Sequence, residues 1–233
     1  DEIKAVNDRV QLAEVNKIMQ RRINQRHMYS GVTIVDPDNA YIDDTVIIGR
    51  DTVIYPNTYL EEGTVIGDNC KIGPNSRIIN SVLCNNVTVE NSKMIESYAD
   101  DGTLIGPFAF LRPGSRLGKN VKIGDFVEVK NSIIGDNSKS SHLSYIGDAE
   151  VGKHANIGCG VVFVNYDGKN KYKTIVGDGA FVGSNSNLVA PVTIEEGGYV
   201  AAGSTITENV KKGDLAIARA RQVNKEGKGS NRY

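Results

Sequence analysis

Aliphatic residues recur every six positions through most of the chain. They stand at Ile42, Ile48, Ile54, Leu60, Ile66, Ile72 and Ile78, then at Ile105, Leu111, Leu117, Ile123 and Val129. The step returns at Val151, Ile157 and Phe163, and again at Val176, Val182, Leu188, Ile194, Val200 and Ile206. Glycine often follows the aliphatic residue, as at Gly49, Gly67, Gly118, Gly124 and Gly183, and a small residue such as Thr52, Cys70, Ser76, Ser115 or Ala155 sits four positions after it. A period of six suits neither an amphipathic helix nor an alternating strand. It fits short strands joined by tight turns, with one apolar side chain per side pointing inward and a small residue in each crowded corner. Three such sides close a coil of about eighteen residues, stacked on the next at about 4.8 Å. The pattern predicts an all-β fold, a parallel β-helix of hexapeptide repeats over residues 31–214. A β-sandwich would not hold this phase through seven consecutive hexads. Periodicity alone leaves the hand of the coil open.

The phase breaks carry information too. Asn80-Ser81, Asn91-Ser92 and Asn131-Ser132 mark shortened sides, with steps of five from Ile78 to Leu83 and from Val129 to Ile134. The largest break runs from Phe163 to Val176, where two sides would take twelve residues and thirteen are present. Asn165 to Lys173 lacks the hexad and predicts a polar loop expelled from the coil, the kind of segment that carries function on a rigid scaffold. At the start, Leu12, Val15, Met19 and Ile23 fall at helical spacing among Arg, Lys and Gln, which predicts an amphipathic linker helix over residues 8–28, within a leading segment 1–30. Such a helix protects the first coil. Residues 215–233 lose the hexad, turn basic and polar, and predict an irregular tail.

Composition narrows the possibilities. The chain has no Trp and five Phe, as a narrow core requires. Lys plus Arg number 27 against 28 Asp plus Glu, a net charge of −1, which removes the main argument for a nucleic-acid or anionic-membrane partner. There is no run of eighteen apolar residues and no opening signal peptide, so a cytoplasmic location is expected. Cys70, Cys84 and Cys159 are too few for a disulfide framework, and their spacing fits no zinc cluster.

Residues outside the ladder point further. Leu111-Arg112-Pro113-Gly114, the run from Gly124 to Lys130, the run from Ser141 to Glu150, the run from Asn165 to Thr174 and Phe181-Val182-Gly183-Ser184 together resemble the C-terminal domain of the bifunctional N-acetylglucosamine-1-phosphate uridyltransferase/glucosamine-1-phosphate acetyltransferase family. The resemblance implies a left-handed coil, against the usual right-handed crossover, and a homotrimer. It also implies acetyl transfer from acetyl-CoA to the amine of glucosamine-1-phosphate. Val6 to Ala13 resembles the end of that family's N-terminal uridyltransferase domain, with Ala5 where a Gly is usual. There an Asn helps hold Mg²⁺. Asn7 is the matching residue, able to serve a metal only together with the rest of that domain, and Mg²⁺ would belong to uridyl transfer alone.

Acetyl transfer to an amine needs a base for the proton and donors for the oxyanion. His142 matches the family's general base, and Glu128 its orienting carboxylate. Arg112, Lys130 and Lys171 match its sugar-phosphate ligands, with Tyr145 and Asn156 completing the sugar pocket; a phosphate dianion calls for such cations. Cys159, Asn165, Tyr166, Ser184, Ala202 and Arg219 match positions along acetyl-CoA. Cys159 stands where Ala is commoner, and it leaves open a covalent relay through the thiol. Two rival functions are weaker. A β-helix carbonic anhydrase needs three His ligands, whereas only His142 and His154 lie in the coil and His27 precedes it. A catalytically silent scaffold would not need the set of His142, Arg112, Lys130, Asn165 and Tyr166.

Overall fold

A computed structural model describes residues 5–226. Its body is a parallel β-solenoid whose three faces carry eleven, ten and nine strands among the described residues. Most strands are two or three residues long, and apart from the last pair of the first face each pairs with the strand three places along the chain. We call the faces first, second and third in the order the chain meets them, at Thr33–Ile34, Ala40–Ile42 and Ile47–Ile48.

The hexad ladder is the core. Ile54 pairs with Ile72 on the first face, Leu60 with Ile78 on the second and Ile48 with Ile66 on the third. All six are buried, together with every other residue of the predicted ladder. Burying one such side chain stabilises by roughly 1.5–3 kcal/mol, and stacking like on like leaves little room for a Trp. The small residues close the corners and also satisfy backbone. Thr52 Oγ1 donates to the Gly67 carbonyl at 2.8 Å, Ser115 Oγ to that of Val129 at 3.0 Å and Ser138 Oγ to that of Gly152 at 2.6 Å.

Most sides end in a residue at positive φ. On six-residue sides it falls three places after the ladder residue, as at Asn57, Asn69, Asn86 and Phe126. On five-residue sides it falls two places after. This explains the shortened corners at Asn80, Asn91 and Asn131 and adds two more, at Glu96 and Asp148. The five-residue sides bring Leu83, Val89, Met94 and Ala99 inward, filling the stretch where the six-step ladder lapses. They also reset the coil: Lys122 to Asp125 pairs with Lys139 to His142 at a spacing of seventeen residues.

Two expectations are corrected. Phe163 and Val176 lie on consecutive sides, the second and third faces, because Val162–Val164 is followed directly by Thr174–Val176. The break is one enlarged side rather than two altered ones, so the expelled loop is longer than the residue count suggested. At the other end the coil continues through Leu215–Ala216, which pairs with Tyr199–Val200, two residues into the expected tail.

The helix spans Arg9–Tyr29, with Asp8 accepting from the Gln11 amide at its start. Of the expected apolar stripe only Ile23 is buried, joined by the polar Asn24 and His27; Leu12 and Val15 are half-buried and Met19 is exposed. The helix therefore docks by its C-terminal half. Asn24 Nδ2 fixes it by donating to the carbonyls of Pro37 and Ala40 at 2.8 and 3.0 Å. No helix among the described residues is long and apolar enough to cross a membrane.

Candidate active site

Most candidate residues gather on the second face and the two corners that border it; Asn156 stands on the first face and Asn7 just before the leading helix. At the first corner, between the first and second faces, successive coils place Asp125, His142, Cys159, Ser184 and Ala202 in one column, each two residues after a paired first-face position. His142 thus shares a ridge with three of the expected acetyl-CoA positions. Arg219 follows at the end of that column, near enough that a Cβ on Gly203 would lie 3.9 Å from its Cδ. Asn156 stands on the first face beside this ridge, paired with Lys139 and Phe181.

His142 is exposed, and its Nδ1 lies 2.5 Å from Asp125 Oδ1. The contact comes from register. The strands Lys122–Asp125 and Lys139–His142 are longer than most, and their ends set Asp125 directly opposite His142. The hydrogen bond to His142 holds the Asp125 carboxyl below the usual carboxylate range. Glu128, the carboxylate expected to orient the imidazole, is engaged elsewhere: its Oε1 accepts from Arg112 Nη1 at 2.8 Å.

Glu128 and Tyr145 are register partners on the second face, and Arg112 and Lys130 flank them. Lys130 in turn pairs with Gly147. A Cβ there would fall 2.4 Å from Tyr145 Oη, so the glycine lets the phenol lie along the strand. At the far corner Asn131, Asp148 and Asn165 form a second column at seventeen-residue spacing. Asp148 accepts from Asn131 Nδ2 at 2.7 Å and from Asn165 Nδ2 at 2.5 Å, and Lys130 Nζ lies 3.5 Å away. Burial pushes the Asp148 carboxyl up, but those two amides and the charges of Lys130 and Lys171 outweigh it and hold the group below its ordinary value.

The expelled loop is ordered by its own turns. Asp167 Oδ1 accepts from the amides of Lys169 and Asn170 at 2.7 and 2.6 Å, Tyr166 bridges to Lys171 and Tyr172 donates its amide to the Asn165 carbonyl at 2.9 Å. With Asn165 buried and tied to Asp148, this hairpin delivers Lys171 to Lys130. The neighbouring Lys130, with Arg112 beyond, depresses Lys171 below the ordinary lysine range. Three cations thus converge on one face against two carboxylates, Glu128 and Asp148, which leaves an excess of positive charge able to attract an anion.

Asp125 and Asp148 did not stand out in the sequence, and Asn131 did so only as a shortened corner. The signal was the coil length: each lies seventeen residues from a residue that did, His142 or Asn165 directly and Asn131 through Asp148. Asn7 is exposed, and its amide donates to Gln11 Oε1 at 2.8 Å. No group of metal-ligating His, Cys, Asp or Glu side chains surrounds it among the described residues. One amide oxygen does not make a magnesium shell, so these residues do not fit that ion by themselves.

Residues 45–80 match the bacterial transferase hexapeptide family (six repeats), and residues 173–208 the hexapeptide repeat of succinyl-transferase. A crystal structure of LpxA, a UDP-N-acetylglucosamine acyltransferase from Bacteroides fragilis 9343, is similar with a TM-score of 0.54 and 19% identity, covering 76% of this chain and 69% of its own. That likeness concerns the fold alone. The bifunctional protein GlmU of Alkaliphilus metalliredigens (strain QYMF) is 60% identical over 227 residues, 97% of this chain and 50% of that protein. The GlmU of Clostridioides difficile (strain 630) is 61% identical over the same shares. The chain therefore spans about half the length of the curated relatives it matches. Identity of this order, sustained over nearly every residue, makes the chain a member of the GlmU family, corresponding to the C-terminal part of those proteins.

Proposed function

We propose that this chain transfers the acetyl group of acetyl-CoA to the amine of glucosamine-1-phosphate. The observation that carries the reading is the pairing of two features on one face. An exposed imidazole held by a carboxylate stands at one edge, and Arg112, Lys130 and Lys171 converge across the rest. Arg112, Lys130 and Lys171 bind the sugar phosphate, and Tyr145 and Asn156 contact the ring. His142 takes the proton as the amine nitrogen attacks the thioester carbon. The tetrahedral intermediate collapses as the carbon–sulfur bond breaks, and the departing CoA thiolate takes up the proton. Acetyl-CoA runs along the ridge of Cys159, Ser184 and Ala202 to Arg219, while Asn165, at the far corner, anchors the hairpin of Tyr166 and Lys171 and does not line that ridge. Cys159 serves as wall rather than relay, because direct attack needs no covalent intermediate. Glu128 acts by fixing Arg112.

The domain reading follows the same lines: a leading helix, a catalytic coil and a tail that contributes Arg219. Exposed apolar residues on the third face, Ile47, Val82, Ile133 and Ile175, support assembly as a homotrimer. We place the protein in the cytoplasm, where acetyl-CoA is at hand. The longer protein would add uridyl transfer from UTP with Mg²⁺, and no step above runs through that ion.

The test is release of CoA thiol with glucosamine-1-phosphate, set against glucosamine-6-phosphate. Turnover with the first and not the second is expected, and His142→Ala should lower kcat by about 10²–10⁴. Equal turnover of both sugars, or a His142→Ala variant within threefold of the parent, would sink the reading. Light scattering should give three times the chain mass; an active monomer would remove the trimer.

A further inference from the structure

We propose that Asp125 is the positioning residue of this site, fixing the proton of neutral His142 on Nδ1 so that Nε2 faces the substrate amine as an unprotonated base. The inference rests on the reading of His142 as the general base, and it goes beyond that reading in naming what orients the ring.

Four observations converge. The Oδ1–Nδ1 separation of 2.5 Å is a short, charge-assisted contact. An ionised carboxylate has no proton to give, so the imidazole must donate, and its proton sits on Nδ1. The hydrogen bond that depresses the Asp125 carboxyl keeps it in that accepting form.

Second, the backbone sets the pair. Asp125 and His142 are register partners at the ends of two prolonged strands, and the Leu143 amide donates to the Asp125 carbonyl at 2.9 Å. Third, Gly124 allows the strands to close here, since a Cβ would lie 2.1 Å from the Ser141 carbonyl oxygen. Fourth, the only other carboxylate proposed for the role, Glu128, is occupied by Arg112. The turn after each partner is made by a large apolar residue at positive φ, Phe126 and Leu143. Phe126 stacks on Phe108 with ring centroids 5.3 Å apart, bracing the corner below.

Asp125→Asn is the discriminating change. Its amide can turn its NH₂ toward Nδ1 and so select the opposite tautomer, whereas the carboxylate can only accept. The experiment uses the full chain labelled with ¹⁵N-histidine, in the parent, Asp125→Asn and Asp125→Glu. Long-range ¹⁵N–¹H spectra assign the His142 tautomer, and steady-state kinetics with acetyl-CoA and glucosamine-1-phosphate give kcat and KM. The parent should show the proton on Nδ1. Asp125→Asn should lose that bias and fall in kcat by about 10²-fold, with both KM values within about threefold of the parent's. Asp125→Glu should restore the Nδ1 proton and part of kcat. A parent with the proton on Nε2, an Asp125→Asn variant that keeps the parent's tautomer, or one within twofold of its kcat overturns the assignment. Should the parent fail to acetylate glucosamine-1-phosphate, the proposed reaction falls, yet the ring-nitrogen spectra still decide whether Asp125 sets the tautomer.

Discussion

Gly124 lies so close to Ser141 on the neighbouring coil that a Cβ on it would stand 2.1 Å from the carbonyl oxygen and 2.8 Å from the carbonyl carbon. The glycine is needed for approach and not for its backbone angles. Backbone atoms cannot step aside as a flexible side-chain tip can. Gly124→Ala must therefore push apart the strands that carry Asp125 and His142. We expect a loss of about 1–3 kcal/mol in stability and a larger proportional loss of acetyl transfer. Gly63→Ala is the control, since its Cβ would meet nothing within 4 Å, and there only the positive φ opposes alanine. It should cost about 1 kcal/mol and leave turnover unchanged. Equal effects of the two changes on turnover, measured beside thermal melts, would show that the close approach is not what holds the dyad.

The buried hydroxyl of Ser140 leads to a second expectation. Ser140 occupies a core position between Ile123 and Ile157 in the first-face ladder, and its Oγ has no hydrogen-bond partner. A buried hydroxyl without a partner costs roughly 1–3 kcal/mol. Ser140→Ala should therefore raise the melting temperature while leaving KM for both substrates alone. A lower melting temperature would mean that the hydroxyl is satisfied within the coil.

Ser140 also shows what the sequence could and could not carry. Wherever the side length is six, as from Ile42 to Ile78, the ladder declares itself, because each inward position is apolar and evenly spaced. From Ile78 to Ile105 and from Val129 to Val151 five-residue sides intervene and the phase slips, although Leu83, Val89, Met94, Ile134 and Ile146 continue the same core. Ser140 has no aliphatic signature at all. The site was legible in part for the same reason. His142, Arg112, Lys130 and Lys171 stand out by their chemistry, whereas Asp125 and Asp148 have ordinary side chains for a turn. Only the coil length of seventeen residues places them against His142 and Asn165. The helix misled differently: its apolar spacing is real, but beside Ile23 the contact that docks it is made by the side-chain amides of Gln20 and Asn24.

Arg112 reaches the site while paired to Glu128. If it binds the sugar phosphate as proposed, removing the guanidinium takes away one ligand of that group and leaves the half-exposed Glu128 carboxylate to repel the dianion. Arg112→Ala should raise KM for glucosamine-1-phosphate about tenfold or more, as loss of a charged hydrogen bond costs roughly 1.5–3 kcal/mol. KM for acetyl-CoA should move little, because its ridge lies at the first corner. Equal rises in both constants would show that Arg112 supports the coil and not the phosphate.

Asp148 couples the site to pH. Its carboxyl joins Asn131 on one coil to Asn165 at the base of the hairpin and sits beside Lys130. Because its folded pKa is depressed, its contribution to stability is fully present above the value of an unfolded carboxylate and is lost as pH falls through the lower, folded value. Protonation turns one of the two accepting oxygens into a hydroxyl, weakening one amide contact, and removes the negative charge beside Lys130, so the hairpin bearing Lys171 should loosen first. Asp101, Asp125, Asp136 and Asp167 are depressed as well, each by its own hydrogen bonds, and the whole coil will weaken in acid. The informative quantity is therefore the difference between the parent and Asp148→Asn. The parent should be the more stable at neutral pH, and the gap should close as pH drops below the ordinary carboxylate range. Hydrogen exchange should report the change in residues 165–173 before it reaches the core strands. A stability gap that stays constant from neutral to acid pH would mean that the charge on Asp148 plays no part in holding the hairpin to the coil.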